Sequence, residues 1–241
     1  MSQESDAKGL TIKWLGHASL HIKTPKGTSI LVDPWFEGNP KQPAGSEPSK
    51  VDLVLVTHGH GDHTASVVSV AKKTTPQVVG MAELMTIFGE QGVEHAVGMN
   101  VGGSYRAHDV TITMTEARHS SSIEHKGQTV YAGDPAGFVL QIDGAPTIYL
   151  AGDTSVFSDM KLISELYRPE IAILPIGDHY TMGPRQAGLA ASFLVPKTIL
   201  PVHWGTFPAL TGTPEQLQEE LKVRGVPVEV IAWQPGESYS A

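Results

Sequence analysis

Residues 56–64 read Val56-Thr-His58-Gly-His60-Gly-Asp62-His63-Thr64, and they close the apolar run Val51-Asp-Leu-Val-Leu-Val56. A short apolar run that ends in glycines has the character of a buried strand delivering a loop. Three histidines and one aspartate crowd into six positions of that loop. Neutral imidazole and carboxylate bind divalent first-row metals well, and the intervening glycines let the backbone turn until neighbouring side chains converge. Alternation points His58 and His60 the same way, while the start of a following helix redirects Asp62 and His63. Four ligands are one too many for an open single-metal site, so the loop suggests two ions sharing it.

Three further donors stand where a strand runs into a loop: His119 after Thr111-Ile-Thr-Met-Thr-Glu-Ala, Asp153 after Ile148-Tyr-Leu-Ala-Gly, and His203 after Ile199-Leu-Pro-Val. Ligands from the carboxyl ends of several strands can meet at one rim. The spacing predicts strands over 10–15, 19–23 and 29–32 as an antiparallel meander, and further strands over 109–115, 129–131, 137–142, 147–150, 171–174 and 198–202. Helices are expected over 64–73, 82–89, within 157–166, and over 184–194 and 214–222. Two stretches echo one another. Ile30-Leu-Val-Asp33 followed by the strand from Asp52 into His58 resembles Tyr149-Leu-Ala-Gly-Asp153 followed by the strand from Glu170 into Gly-Asp-His179. A repeated β/α unit around a two-layer sheet core would produce this echo.

The chain has 241 residues with no Pro/Ser-rich or single-charge linker, which reads as one domain spanning 1–241. Its 40% apolar content, together with 25 glycines, is that of a chain with a proper core. A net charge of −8 with scattered lysines and arginines argues against a nucleic-acid partner. The absence of cysteine excludes disulfides, thiolate metal sites and a cysteine nucleophile, leaving histidine and carboxylate as ligands. The polar N-terminus has no apolar signal core, and no stretch approaches 18 uninterrupted apolar residues; a cytoplasmic protein with no membrane partner is expected.

The whole pattern resembles the metallo-β-lactamase superfamily, whose signature is an H-x-H-x-D-H loop followed by a single His, a single Asp and a single His at strand ends. His58, His60, Asp62, His63, His119, Asp153 and His203 occupy those places in order. The resemblance runs from Trp14-Leu-Gly-His-Ala-Ser19 to His203-Trp-Gly-Thr206. Gly133-Asp-Pro-Ala-Gly-Phe138, Ala151-Gly-Asp-Thr154 and Leu174-Pro-Ile-Gly-Asp-His-Tyr-Thr-Met-Gly-Pro184 look like its compact branch of metal-dependent hydrolases related to L-ascorbate-6-phosphate lactonase. The resemblance implies an α/β (α+β) fold, a four-layer αβ/βα sandwich, with two divalent metals at one edge. His58, His60 and His119 would hold the first ion; Asp62, His63 and His203 would hold the second, with Asp153 bridging. Zn or Mn is the expected metal, and Fe is compatible with the same donors. The implied function is hydrolysis of a small ester, lactone or phosphodiester substrate by metal-activated hydroxide, with Asp62 also orienting that hydroxide. A mononuclear iron oxygenase of the sulfur-dioxygenase type and a non-catalytic binding module of the same fold are the alternatives. Family members are often homo-oligomers, which leaves a homo-oligomer open here.

Other residues carry less decided expectations. Asp33 and Asp52 fit either a turn cap or a carboxylate orienting a ligand histidine. His179, in a loop that echoes the metal loop, fits either a proton donor to the leaving group or a structural hydrogen-bonder. His17 reads as a structural turn residue, and His21, His95, His108 and His125 as exposed or merely hydrogen-bonded. Tyr180-Thr-Met182 and Phe207-Pro-Ala-Leu210 fit an apolar substrate wall or simply core, and Ser120-Ser-Ser-Ile-Glu124 a lid or a solvated loop.

Overall fold

The computed structural model describes residues 9–241; part of the polar N-terminal stretch, residues 1–8, lies outside the described residues. The chain opens with β1 (Thr11–Trp14), β2 (Leu20–Lys23), β3 (Ser29–Val32) and β4 (Leu53–Leu55). Helices α1 (Gly61–Thr64) and α2 (Val67–Thr74) follow, then β5 (Gln77–Met81), α3 (Ala82–Glu90) and β6 (Ala96–Met99). The second half begins with β7 (Ser104–Ala107), β8 (Val110–Glu116), β9 (Ser122–His125), β10 (Gln128–Tyr131), β11 (Ala136–Ile142) and β12 (Ile148–Leu150). It ends with α4 (Met160–Tyr167), β13 (Ile171–Pro175), α5 (Pro184–Leu194), β14 (Thr198–Val202), α6 (Pro214–Arg224), β15 (Glu229–Val230) and β16 (Ser238–Ser240).

These strands form two seven-stranded sheets, ordered β16-β1-β2-β3-β4-β5-β6 and β7-β8-β11-β12-β13-β14-β15, with β9 and β10 as a separate hairpin. The first sheet is antiparallel from β16 to β3 and parallel from β3 to β6. The second repeats that plan, antiparallel from β7 to β12 and parallel from β12 to β15. The echoed sequences are thus equivalent parallel pairs, β3/β4 and β12/β13, at matching places in the two sheets.

Continuous apolar runs in β3, β4, β13 and β14 are buried throughout, as parallel strands covered on both faces must be. In β13 the side chains alternate: Ile171 and Ile173 join the core shared by both sheets, whereas Ala172 and Leu174 join a second cluster with α4, α5 and α6. Val67 and Val70 of α2 and Leu84, Met85 and Phe88 of α3 pack onto the first sheet. The layers therefore run helix, sheet, sheet, helix, an αβ/βα sandwich. Trp14 ties the sheets together, its ring 5.6 Å from that of Trp233 and 5.5 Å from that of Trp204.

Two local departures from the sequence expectation have clear causes. The single helix expected over 64–73 is two, because at the break Ser66 N donates to Pro34 O at 3.0 Å and Ser66 Oγ accepts from Phe36 N at 2.8 Å. Part of the 120–124 stretch is strand, since β9 pairs antiparallel with β10. Among the described residues no helix is long and apolar enough to cross a membrane.

Candidate metal centre

The donor-bearing loops leave the carboxyl ends of strands in both sheets. His58, His60, Asp62 and His63 follow β4 in the first sheet; His119, Asp153 and His203 follow β8, β12 and β14 in the second. Parallel alignment of β3 with β4 and of β12, β13 and β14 brings these ends to one edge of the sandwich. Glycines shape the approach. Gly152 has φ +63, and a Cβ there would lie 2.7 Å from Ala136 O and 3.0 Å from Thr57 Cβ, so only glycine allows Asp153 to turn inward.

Asp153 is the hub. Its Oδ2 lies 3.1 Å from His203 Nε2, 3.4 Å from His63 Nε2, 3.7 Å from His119 Nε2 and 4.0 Å from His58 Nε2. Around it the donors fall into two groups. Donor atoms of His58, His60 and His119 lie within 4.8 Å of one another, as do those of His17, Asp62, His63 and His203. His58 Nε2 and His60 Nδ1 are 2.9 Å apart, and Ser120 Oγ lies 3.4 Å from His60 Nε2. Three buried polar atoms here have no hydrogen-bond partner: His63 Nε2, Asp153 Oδ1 and His203 Nδ1.

A supporting layer fixes the rings. Asp33 Oδ2 accepts from His63 Nδ1 at 2.8 Å and from Thr57 Oγ1 at 2.7 Å, and its Oδ1 accepts from Thr57 N at 2.8 Å. Thr57 Oγ1 in turn accepts from His58 Nδ1 at 3.0 Å. Both imidazoles thus carry their proton on Nδ1 and turn Nε2 toward the centre. Asp33 therefore serves the site. Asp52 does not: at the opposite end of β4 it accepts from Ser29 N at 2.9 Å and pairs with Lys50 at 3.0 Å, which is a turn cap.

His17, expected to be only structural, is the residue the sequence reading missed. It is fully buried, with Nε2 3.0 Å from Asp62 Oδ2 and Nδ1 3.0 Å from Thr206 Oγ1. The signal lay in Trp14-Leu-Gly-His-Ala-Ser19, but it names no partner. His17, Asp33 and His203 have φ of 57°, 44° and 56°, a left-handed backbone that few non-glycine residues adopt and that gathers at functional sites.

His179 is not brought into this cluster. It is exposed in the loop after β13, at φ 58°, with its ring edge-on to Tyr180. Phe207 does reach the site's flank, 5.6 Å from the His17 ring, whereas Leu210 and Met182 are buried. Beside His60 opens a cleft of about 360 Å³ whose walls include Val68, Phe88, Ile123 and Glu124.

The electrostatics suit a cation. Burial holds His58 well below the ordinary imidazole range and lowers His60 and His119, and it pushes His17 down to about 4 in spite of its bond to Asp62. Burial also opposes charge on His63, but the carboxylates of Asp153 and Asp33 on either side override it and hold that imidazole well above its usual range. Burial would likewise raise Asp153 and Asp62. His203 and His63 keep the first ionised, and the hydrogen bond from His17 keeps the second so. His58, His60 and His119 are thus held neutral, the state in which imidazole binds a divalent metal, whereas His63 is held charged by its two carboxylates and has to release a proton to an arriving ion.

Residues 28–204 match the Beta-lactamase superfamily domain. The chain is 49% identical over 236 residues to a metal-dependent hydrolase of Koribacter versatilis, covering 98% of this chain and all of that protein. It is 43% identical over 230 residues to a metal-dependent hydrolase of Methanopyrus kandleri, covering 95% of this chain and 99% of that one. Among solved structures, Igni18, a metallo hydrolase from the archaeon Ignicoccus hospitalis, superposes with a TM-score of 0.85 at 32% identity, covering 96% of this chain and 98% of Igni18.

Proposed function

Because this chain belongs to the metallo-β-lactamase superfamily, we propose that it is a metal-dependent hydrolase with a two-ion centre acting on a small ester, lactone or phosphodiester. The observation that carries the reading is the single Asp153 oxygen within 4.0 Å of four imidazole nitrogens, flanked by two donor groups. The residues fit such ions. Three buried polar atoms lack partners at this point, and a buried orphan polar group is costly unless something meets it. His58, His60 and His119 would hold one ion and Asp62, His63 and His203 the other, with Asp153 shared. The all-N/O donor set suits Zn, Mn or Fe. When bound, two such ions polarise the scissile group and make water acidic enough to act as nucleophile near neutral pH.

The chain's own residues then orient and protect. Asp33 holds His63 and, through Thr57, His58, so that Nε2 of each faces inward. Asp62, with a side chain 31% exposed, is the one donor carboxylate open to an incoming water and would orient it. His179 stands outside the donor cluster, exposed in the loop after β13, whose strand neighbours the one that delivers His203; its proposed role is to give a proton to the leaving group of a bound substrate that reaches out to that loop. The cleft beside His60 is of small-molecule size, and no lysine or arginine lines it among the described residues; that favours an uncharged ester or lactone over a phosphodiester. In keeping with the net charge of −8, nucleic acid is not a proposed partner.

The test is elemental metal content per chain on protein purified without chelator or affinity-column metal, followed by a screen of lactones, esters and phosphodiesters. About two Zn or Mn with hydrolysis supports the reading. One Fe with oxygen uptake would replace it by the oxygenase, and no metal after reconstitution by a binding module.

A further inference from the structure

We propose that His17 is a positioning residue that selectively sets the affinity of one half of the centre, the ion held by Asp62, His63 and His203. The inference rests on the two-ion reading above. His17 grips that half in two ways. Its side chain holds Asp62: an ionised carboxylate only accepts, so Nε2 carries the proton across the 3.0 Å contact, and Nδ1 accepts from the Thr206 hydroxyl, also at 3.0 Å. Thr206 thereby fixes the tautomer, and both ring nitrogens are committed, which leaves neither for a metal.

The backbone of His17 holds His203. His17 O accepts His203 N at 2.9 Å, and the same carbonyl accepts Trp14 Nε1 at 2.9 Å, so two left-handed residues are locked to each other and to the aromatic anchor between the sheets. The His17 ring lies 3.9 Å from the His203 ring, with Trp35 at 5.3 Å and Phe207 at 5.6 Å. Among the described residues, no hydrogen bond of His17 reaches His58, His60 or His119. A carboxylate ligand without its holder must be ordered by the ion itself, which weakens that ion alone. Partners of this kind are commonly worth ~10–100-fold in metal affinity.

The experiment titrates Zn²⁺ into metal-free full-length protein against a chromophoric chelator and counts bound ions by native mass spectrometry. Wild type is compared with His17→Asn and Thr206→Val. Asparagine accepts the left-handed backbone but is too short to replace both contacts, and the backbone bond to His203 survives. In His17→Asn one of two binding steps is expected to weaken by ~10–100-fold while the other stays unchanged. Thr206→Val should weaken the same step by a smaller factor, and it carries the test if His17→Asn fails to fold by circular dichroism. Two unchanged steps in both variants, or two steps weakened together, would overturn the proposal. A wild-type protein that binds one ion overturns the two-ion reading itself, a failure seen before any variant is made.

Discussion

At the residue scale the centre depends on one buried carboxylate and on the residue that faces it from the other sheet. Asp153→Ala is expected to remove most bound metal and lower turnover by more than ~100-fold, beyond what loss of a supporting residue costs, while the chain still folds. It folds because the substitution leaves no buried charge unpaired except on histidines, which can lose their proton. Metal analysis and circular dichroism check both halves, and retention of both ions with full turnover would refute the assignment of Asp153 as the shared ligand. Asp33→Asn keeps the shape but gives up the charge that turns His63 inward; metal affinity should fall by ~10–100-fold with one ring still in place. His95→Ala, in an exposed turn, should change neither metal content nor turnover. Residue type and order made the seven donors legible in the sequence. The role of His17 was not, because its partners lie 45 and 189 positions away and nothing local to Gly16-His17-Ala18 reports them.

At the scale of elements, strands that are buried on both faces announce themselves. β4 and β13 are apolar throughout, and β3 and β14 are so after their first residues, Ser29 and Thr198; both halves of the β3/β4 and β12/β13 echo were readable for that reason. Six strands went unread: β5, β6, β7, β9, β15 and β16. β5, Gln77-Val-Val-Gly-Met81, is buried between β4 and β6, and Gly80 interrupts its short apolar run; the edge strands β7, β15 and β16 are strands by pairing and not by composition. β16 is Ser-Tyr-Ser and exists because β1 offers it an edge; β7 is Ser-Tyr-Arg-Ala at one edge of the second sheet, and β15, at that sheet's other edge, has two residues. Helix α6 was readable from its start, where Thr213 and Gln216 form a reciprocal cap. These distinctions separate two kinds of lesion. Thr213→Ala should cost about 1 kcal/mol of stability through the lost cap and leave metal binding untouched. Gly152→Ala should destabilise by roughly 1–3 kcal/mol, since it forces a Cβ against Ala136 O at a left-handed position, and should also lower metal content by displacing Asp153. Urea denaturation beside metal analysis distinguishes them; equal effects on metal binding would contradict the placement of Gly152 as the hinge of the hub.

At the scale of the whole molecule the ions would join two sheets, because four donors come from the loop of the first and three from loops of the second. The packed core does not lie at that junction. The core shared by the sheets and the outer helical cluster are apolar and continuous away from the centre, and the His63 and Asp153 side chains already face one another across the sheets at 3.4 Å. Chelation is therefore expected to leave a folded protein that melts earlier. A ligand present at 100 times its Kd stabilises by about 2.7 kcal/mol. For a chain of 241 residues, where each kcal/mol moves Tm by roughly 2–4 °C, one ion at that ratio corresponds to a fall of roughly 5–10 °C on its removal. Scanning calorimetry with and without chelator measures it. Asp153→Ala should melt at the chelated temperature and not respond to chelator, which ties the shift to this centre and not to ions bound elsewhere. A chelated protein that has lost its secondary structure would mean that the ions build the sandwich, and an unshifted Tm that they do not bridge its sheets.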